Sequence, residues 1–282
     1  MNKILHKEQI SGSVYRMDIE APLIAANRKA GQFIILMADE EHGERIPLTI
    51  ADADVQKGTI TIIFQAVGAS TIKLAQFREG QQIPAVLGPL GKPTNITGPG
   101  KKIVCVGGGI GAAPLHPIAK AFKEAGNEVT IIMGARTGSL FVMEEEMRKI
   151  AGERLILATD DGSKGRKCLV TEPLEELCRT GKIDEVIAIG PPIMMKFCSL
   201  ATKPYGIKTT VSLNTIMIDG TGMCGGCRVS VAGETKFVCV DGPEFDGHLV
   251  DWDLMLKRMA SFKLQETSAK DHVCNMLKGI DS

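Results

Sequence analysis

Apolar and polar positions change rhythm twice along this chain. In the first hundred residues, short runs rich in Ile, Val and Phe stand between Gly, Pro and charged residues: SVYRMDIEAP (13–22), GQFIILMA (31–38), RIPLTIA (45–51) and GTITIIFQAV (58–67). Runs of this length and spacing predict strands of an antiparallel barrel or sandwich. STIKLAQF (70–77) predicts a short helix among them. LGPLGKPTNITGPG (87–100) is dense in Gly and Pro, so a boundary is expected there, closing a β-barrel domain over 1–98.

Beyond that point apolar runs alternate with amphipathic stretches. KIVCVGGG (102–109), EVTIIMGAR (128–136), ERLILATDDG (153–162) and DEVIAIGPP (184–192) read as strands. AAPLHPIAKAFKEAG (112–126), FVMEEEMRKIAG (141–152), VTEPLEELCRTG (170–181) and IMMKFCSLATKPYG (193–206) read as helices. Alternating β and α with apolar strands predicts an α/β domain over 99–210, its parallel sheet covered on both faces. A third segment, 211–246, carries three Cys among many Gly and has little room for its own core, so a metal centre is the expected staple. The tail, 247–282, has helical periodicity through Leu254, Met255, Met259 and Phe262.

Composition narrows the function classes. Lys+Arg and Asp+Glu number 33 each, so there is no electrostatic case for nucleic acid or anionic lipid as a partner. Aromatic residues are only 4%, too few for a base-stacking platform. Near-neutrality mildly favours association with another protein. No apolar run approaches the roughly 20 residues that cross a bilayer, and MNKILHKEQI has no apolar core of signal-peptide length. A cytoplasmic protein is expected. Eight Cys in 282 residues then point to metal or redox chemistry, not to a disulfide scaffold.

Cys224 and Cys227 form C-G-G-C, with Cys239 twelve residues on. Zinc, a thiol–disulfide couple and an iron–sulfur cluster all use such a pair. The thiol–disulfide couple expects a strand-to-helix junction. Here the pair follows a Gly-rich loop and precedes an apparent strand, RVSVAG. D-G-T-G-M-C-G-G-C (219–227) has the spacing of a C-x4-C-x2-C cluster loop with Asp219 in the first Cys position. A carboxylate is an anionic but harder ligand than a thiolate, so it would alter cluster potential and lability. The expected set is Asp219, Cys224, Cys227 and Cys239 around a 2Fe–2S cluster. The alternatives are a plain turn aspartate at 219, or zinc held by the three Cys with Asp219 or His248. The other five Cys are expected as small buried apolar residues.

V-G-G-G-I-G-A-A-P-L (106–115) joins a strand to a helix, the context of a phosphate-binding turn. The acid that closes the usual dinucleotide fingerprint is missing, and G134-A135-R136 stands there instead. Arg136 is a candidate for a 2′-phosphate or a plain surface residue. Asp160 and Asp161 are candidates for ribose hydroxyls or a simple acidic turn. Gly190 ends the fourth strand, where open parallel sheets place ligands.

In the first domain, R45-I-P-L-T-I50 lies on a strand and V67-G-A-S-T71 opens the short helix. Arg45 could pair with a pyrophosphate, and Ser70, Thr71 and the helix start with another phosphate group. The order R-x-P-x-T, G-x-S-T, G-P-L-G (88–91), G-G-G-I-G-A-A-P-L, a cysteine loop and D-G-P-E-F (241–245) resembles the ferredoxin–NADP reductase superfamily. More narrowly it resembles its iron–sulfur branch. That branch holds the dihydroorotate dehydrogenase electron-transfer subunits, the small subunits of NADH-dependent ferredoxin:NADP oxidoreductase and sulfide dehydrogenase-type subunits.

The resemblance implies a FAD-binding barrel, an NAD(H)-binding domain and a 2Fe–2S segment. It places Arg45, Pro47, Leu48 and Thr49 along FAD, and Gly68, Ser70 and Thr71 at its pyrophosphate, with Gly88 also at the cofactor. It places Gly109, Gly111, Ala112 and Pro114 at the nicotinamide nucleotide. Asp219 resembles the bifurcating branch, since the dihydroorotate-type subunits carry Cys there. The implied activity is electron transfer between NAD(H), FAD and the cluster. The implied partner is a larger flavin and iron–sulfur subunit, with ferredoxin reached through the complex. Without the resemblance, a zinc-stapled nucleotide-binding module and a self-sufficient diaphorase stay open.

Overall fold

The computed structural model describes residues 2–40 and 43–280, the last four by backbone alone. Met1, Asp281 and Ser282, at the ends of the expected first and last segments, lie outside the described residues.

Six strands form the first sheet: β1 (Ile4–Ser11), β2 (Val14–Glu20), β3 (Phe33–Met37), β4 (Arg45–Asp54), β5 (Thr59–Gln65) and β6 (Ala85–Leu90). α1 (Pro22–Asn27) and α2 (Ala69–Gln76) lie in its connections. The sheet is antiparallel in the order β1-β2-β5-β4-β3-β6. It is barrel-like but not closed, because β1 and β6 stay as its two edges. β4 makes the bend. Arg45–Thr49 pair with β3, Ile50–Asp54 pair with β5, and the register shifts between Ile50 and Asp52. Period-two alternation sorts β3 between two cores: Ile34 and Leu36 face Met17, Ile60 and Phe64, whereas Phe33 and Ile35 face the rest of the molecule.

The α/β part runs β7 (Lys102–Gly108), α3 (Ala112–Glu124), β8 (Glu128–Ala135), α4 (Glu144–Ala151), β9 (Leu155–Thr159), β10 (Arg166–Lys167), α5 (Thr171–Arg179), β11 (Glu185–Ile189), α6 (Pro192–Thr202) and β12 (Lys208–Ser212). Alternate residues of one strand face opposite helix layers. Ile103 and Cys105 pack with α3 and α4, while Val104 and Val106 pack with α5 and α6. The first of these cores also takes in Val14, Ala51 and Ile63, so α3 is held between the two sheets.

The remaining elements are β13 (Arg228–Val231), β14 (Glu234–Phe237), α7 (Val238–Asp241), β15 (Glu244–Asp246), α8 (Trp252–Met259) and α9 (Lys263–Ile280). β13 and β14 form a separate hairpin, and β15 pairs antiparallel with β12. The second sheet is therefore seven-stranded, ordered β10-β9-β8-β7-β11-β12-β15. The boundary expected at 210 falls inside β12, and the cysteine segment, expected to have little room for its own core, shares one with the sheet. It returns a strand to the sheet and buries Cys227, Val229, Val238 and Cys239 in one core with Val104, Val211 and Trp252. α9 lies against α2, tying the tail back to the first sheet.

Candidate functional site

A cleft of about 970 Å³ opens between the two sheets. From the first sheet it is walled by Phe33, Pro47, Leu48, Thr49 and Phe64. From the second it is walled by the β7–α3 turn and the ends of β8, β9 and β11. β7 and β11 are neighbours whose chain connections leave in opposite directions across the sheet, which is where such sheets bind ligands. Two glycines fix this turn. Gly109 has φ +56 and faces open space, so it supplies a left-handed bend and a bare backbone towards the cleft. A methyl at Gly111 would sit 2.4 Å from the Ile189 carbonyl oxygen, so glycine is what lets α3 start against β11.

Ten of the sequence candidates line this cleft: Pro47, Leu48, Thr49, Thr71, Gly109, Gly111, Pro114, Arg136, Asp160 and Gly190. The others stand elsewhere. Ser70 Oγ donates to Glu44 Oε2 at 2.8 Å, and Gly68 is the N-cap of α2, its N–H donating to the cleft-lining Thr71 Oγ1 at 3.1 Å. Gly88 is in β6 against Ile34, and Ala112 is buried in the first turn of α3. Asp161 Oδ1 accepts from Ser163 N (2.9 Å) and Ser163 Oγ (2.6 Å), which lowers its pKa and locks it in a turn beside the cleft. Arg45 is exposed at the start of β4, where its charge reaches Asp219. Cys168 had been expected as a buried filler. It is half-buried in a loop and lines the cleft, and Cys274 of α9 is half-buried too, whereas Cys105, Cys178 and Cys198 are buried as expected.

Ser212, Leu213, Asn214, Thr215 and Met217 carry the cleft wall onward, and Asp219 follows two residues later. The loop packs on the first sheet, with Gly220 close against Ile35 and Leu90. Asp219 Oδ2 accepts from Thr221 Oγ1 (2.5 Å), Thr221 N (2.9 Å) and Met223 N (3.1 Å). These bonds, with a smaller effect of Arg45, hold its carboxyl below the usual carboxylate range. Among the described residues, Oδ1 makes no hydrogen bond.

Cys224 is exposed. Its pKa is lowered first by the Gly226 N–H, 3.4 Å from Sγ, then by the Asp219 backbone, against opposition from the Asp219 charge. Cys227 and Cys239 are buried with their sulfurs 3.3 Å apart. Burial and the Cys227 thiol push Cys239 up to about 12, and a cationic centre reverses that preference by taking up the thiolate.

The four candidate donors thus stand as two neighbouring pairs, Asp219 with Cys224 and Cys227 with Cys239. Among the described residues, no three His, Cys, Asp or Glu side chains converge as one mononuclear ion requires. Two pairs suit a two-iron cluster, in which each iron takes two protein ligands. The cleft suits two flat nucleotide cofactors, being apolar on the first-sheet side and lined by backbone at the β7–α3 turn.

Comparison with known proteins agrees with this geometry. The iron–sulfur cluster binding domain of dihydroorotate dehydrogenase B matches residues 214–251, and the oxidoreductase NAD-binding domain matches 105–199. The dihydroorotate dehydrogenase B (NAD(+)) electron transfer subunit homolog of Thermotoga maritima is 47% identical over 94% of this chain and 93% of its own. The chain belongs to this electron-transfer subunit family.

The electron transfer subunit of Desulforamulus reducens is 31% identical over 89% of this chain and 97% of its own. Among solved structures, a chain of the NADH-dependent reduced ferredoxin–NADP oxidoreductase, described for flavin-based electron bifurcation, superposes with a TM-score of 0.91. It is 44% identical and covers 96% of this chain and 97% of that one. The family makes this an NAD(H)-linked oxidoreductase subunit, and domain matches and fold together support FAD, an iron–sulfur cluster and NAD(H) as its cofactors. Among the described residues, no helix is long and apolar enough to cross a membrane.

The contacts of two residues in this region carried no signal in the sequence, although Glu244 itself lies within D-G-P-E-F. His116 is buried in α3, with Nδ1 3.2 Å from the Ala51 carbonyl oxygen, joining the second sheet to β4. Glu244 accepts a hydrogen bond from Thr94 Oγ1 at 2.6 Å across the seam behind the cleft. A periodic reading sees neither, because each partner lies far away in sequence.

Proposed function

We propose that this chain is the NAD(H)-side subunit of an electron-bifurcating NADH-dependent ferredoxin:NADP oxidoreductase, joined to a larger flavin and iron–sulfur subunit that reaches ferredoxin. The observation that carries the reading is the continuity of the cleft wall with the cysteine loop: Met217 lines the cleft and Asp219 is two residues on. Pro47, Leu48, Thr49 and Phe33 would hold and orient FAD, and Gly109, Gly111, Pro114 and Gly190 the nicotinamide nucleotide against it. Arg136 and Asp160 would meet its ribose end. Asp219, Cys224, Cys227 and Cys239 would hold a 2Fe–2S cluster. When bound, FAD supplies the exchange between paired nicotinamide electrons and the single electrons of a cluster.

The chain's own part is to align these sites and exclude water between them. No acid–base pair is required of it. Around the exposed Cys224, Met223 is 89% exposed and Ile218 and Val240 are exposed too, a group of apolar side chains for a partner subunit to cover. Met223 and Asp219 also favour the bifurcating assignment over a self-sufficient diaphorase, since the loop faces outward. The setting proposed is cytoplasmic, with neither membrane nor nucleic acid.

The visible spectrum of anaerobically purified protein, before and after NADH, tests the cofactor chain. Flavin bands with a broad iron–sulfur shoulder, bleached by NADH, support it. Protein that stays colourless after reconstitution overturns it. A purified complex that interconverts dihydroorotate and orotate with NAD(H) overturns the bifurcating assignment. It would favour the second reading, to which the names of the curated relatives point.

A further inference from the structure

The turn between Cys224 and Cys227 contains two peptide groups whose carbonyls both meet a guanidinium. Arg228 Nη1 donates to Gly225 O at 3.1 Å. Arg258 Nη2 donates to Gly226 O at 3.2 Å. The first of these peptides is the one whose N–H, that of Gly226, donates to Cys224 Sγ at 3.4 Å. A cation on the carbonyl side polarises that peptide and strengthens its N–H towards the sulfur. Arg258 caps the next peptide, which enters Cys227.

The two arginines are not equivalent. Arg228 is exposed on β13, so water and salt screen it. Arg258 is half-buried and comes from α8, beyond the 214–251 stretch that the iron–sulfur domain matches. α8 is firmly seated. Asp251 caps it by accepting from Leu254 N at 3.0 Å, Trp252 Nε1 donates to Gly247 O at 3.0 Å, and Met255 is buried. Lys196 of α6 pairs with Asp253 at 2.6 Å. Both arginines border a cavity of about 310 Å³, and the half-buried Arg258 lies among its apolar walls, Ile216, Met255, Met259 and Phe262. Apolar walls screen a charge poorly and direct its field onto the loop.

We propose that Arg228 and Arg258 clamp the cluster loop, and that Arg258 is a positioning residue whose charge sets the cluster's reduction potential. This rests on the reading that Asp219, Cys224, Cys227 and Cys239 hold the cluster. A fixed cation favours the more negative, reduced state, so removing it lowers the potential. At the distance of one peptide unit plus a ligand, and with a dielectric between protein and water, the effect is roughly tenfold in the oxidised-to-reduced ratio. That equals about 59 mV for a one-electron couple.

The test uses the full chain with FAD and cluster in place, titrated anaerobically and read by the cluster's EPR signal. Arg258→Gln keeps a donor for Gly226 O without the charge, and Arg258→Lys keeps the charge. The expected result is a potential lowered by about 59 mV in Arg258→Gln and restored in Arg258→Lys, with FAD content unchanged. An unchanged potential in Arg258→Gln, or equal shifts in both variants, overturns the proposal. If Arg258→Gln loses the cluster, retention in Arg258→Lys supports the clamp, and loss in both overturns the charge assignment. Wild-type protein without any iron–sulfur signal overturns the ligand reading itself, which separates the two failures.

Discussion

Glu244→Gln isolates a half-buried carboxyl at the seam between the sheets. Glu244 leaves β15 opposite Ser212 and reaches Thr94 in the linker, whose own N–H donates to Ala30 O at 2.9 Å. Burial pushes its carboxyl up to about 7. The Thr94 hydrogen bond opposes this, the Glu185 carboxylate adds to it, and Lys208 opposes it weakly. Glu185 is itself held by Thr210 Oγ1 at 2.9 Å and Lys208 Nζ at 2.7 Å, and the nearby Cys105 thiol is raised by burial and stays neutral.

The folded state therefore grips this proton more tightly than the unfolded chain, whose carboxyl titrates near 4.5. Its contribution is fully present below about 4.5 and is lost as pH rises through about 7. At 1.36 kcal/mol for each tenfold in proton affinity, the loss is at most about 3 kcal/mol. Glutamine has the same shape, still accepts from Thr94 and does not titrate. Thermal unfolding of wild type and Glu244→Gln at pH 5 and pH 8 measures the difference, in which all other titrating groups cancel. The variant should gain on wild type by about 2 kcal/mol between these values, or roughly 5 °C in Tm. A gap that does not change with pH would refute the assignment of a half-buried, proton-gripping carboxyl.

Three further outcomes are expected. Asp219→Cys should retain the cluster with an altered EPR spectrum and potential, because a softer ligand replaces a hard one. An unchanged spectrum removes Asp219 from the ligand set. Cys227→Ala should lose the cluster and keep FAD, at a cavity cost of about 1 kcal/mol in the shared core; loss of flavin from folded protein contradicts the separation of the two sites. His116 has its pKa lowered by burial below the usual 6.5, so the unfolded chain binds the extra proton and stability falls as pH drops below about 6.5. His116→Gln should flatten that acid-side slope in a melting series and cost about 1 kcal/mol at neutral pH through the bond to Ala51.

What was legible in the chain was whatever its physics kept local. β2 to β5, β7 to β9, β11 and α3 to α6 each carry their own apolar rhythm, and each is found within a few residues of its expected span. β1 carries none. Only Ile4 of ILHKEQIS is fully buried, and the strand exists because β2 offers it an edge. β6 contains Pro89, which argues against a strand in sequence yet is tolerated at a sheet edge. The glycine turn was legible because its need for Gly109 and Gly111 is set within one strand–helix junction.

The spacing of 219–239 nominates candidate donors, but it does not show their ionisation. Asp219 and Cys224 are lowered by N–H groups of their own loop, while Cys239 is raised by burial in a core shared with β7 and α8. Glu244 and Thr94 are 150 residues apart, and Arg258 meets Gly226 across 32. Spacing thus nominates the candidate ligands, and the fields that would tune them lie in contacts that only folding assembles. Loss of Cys224, Cys227 or Cys239 should therefore decide whether a cluster is held, whereas variants at 244 and 258 should change the energetics around it while these residues stay in place.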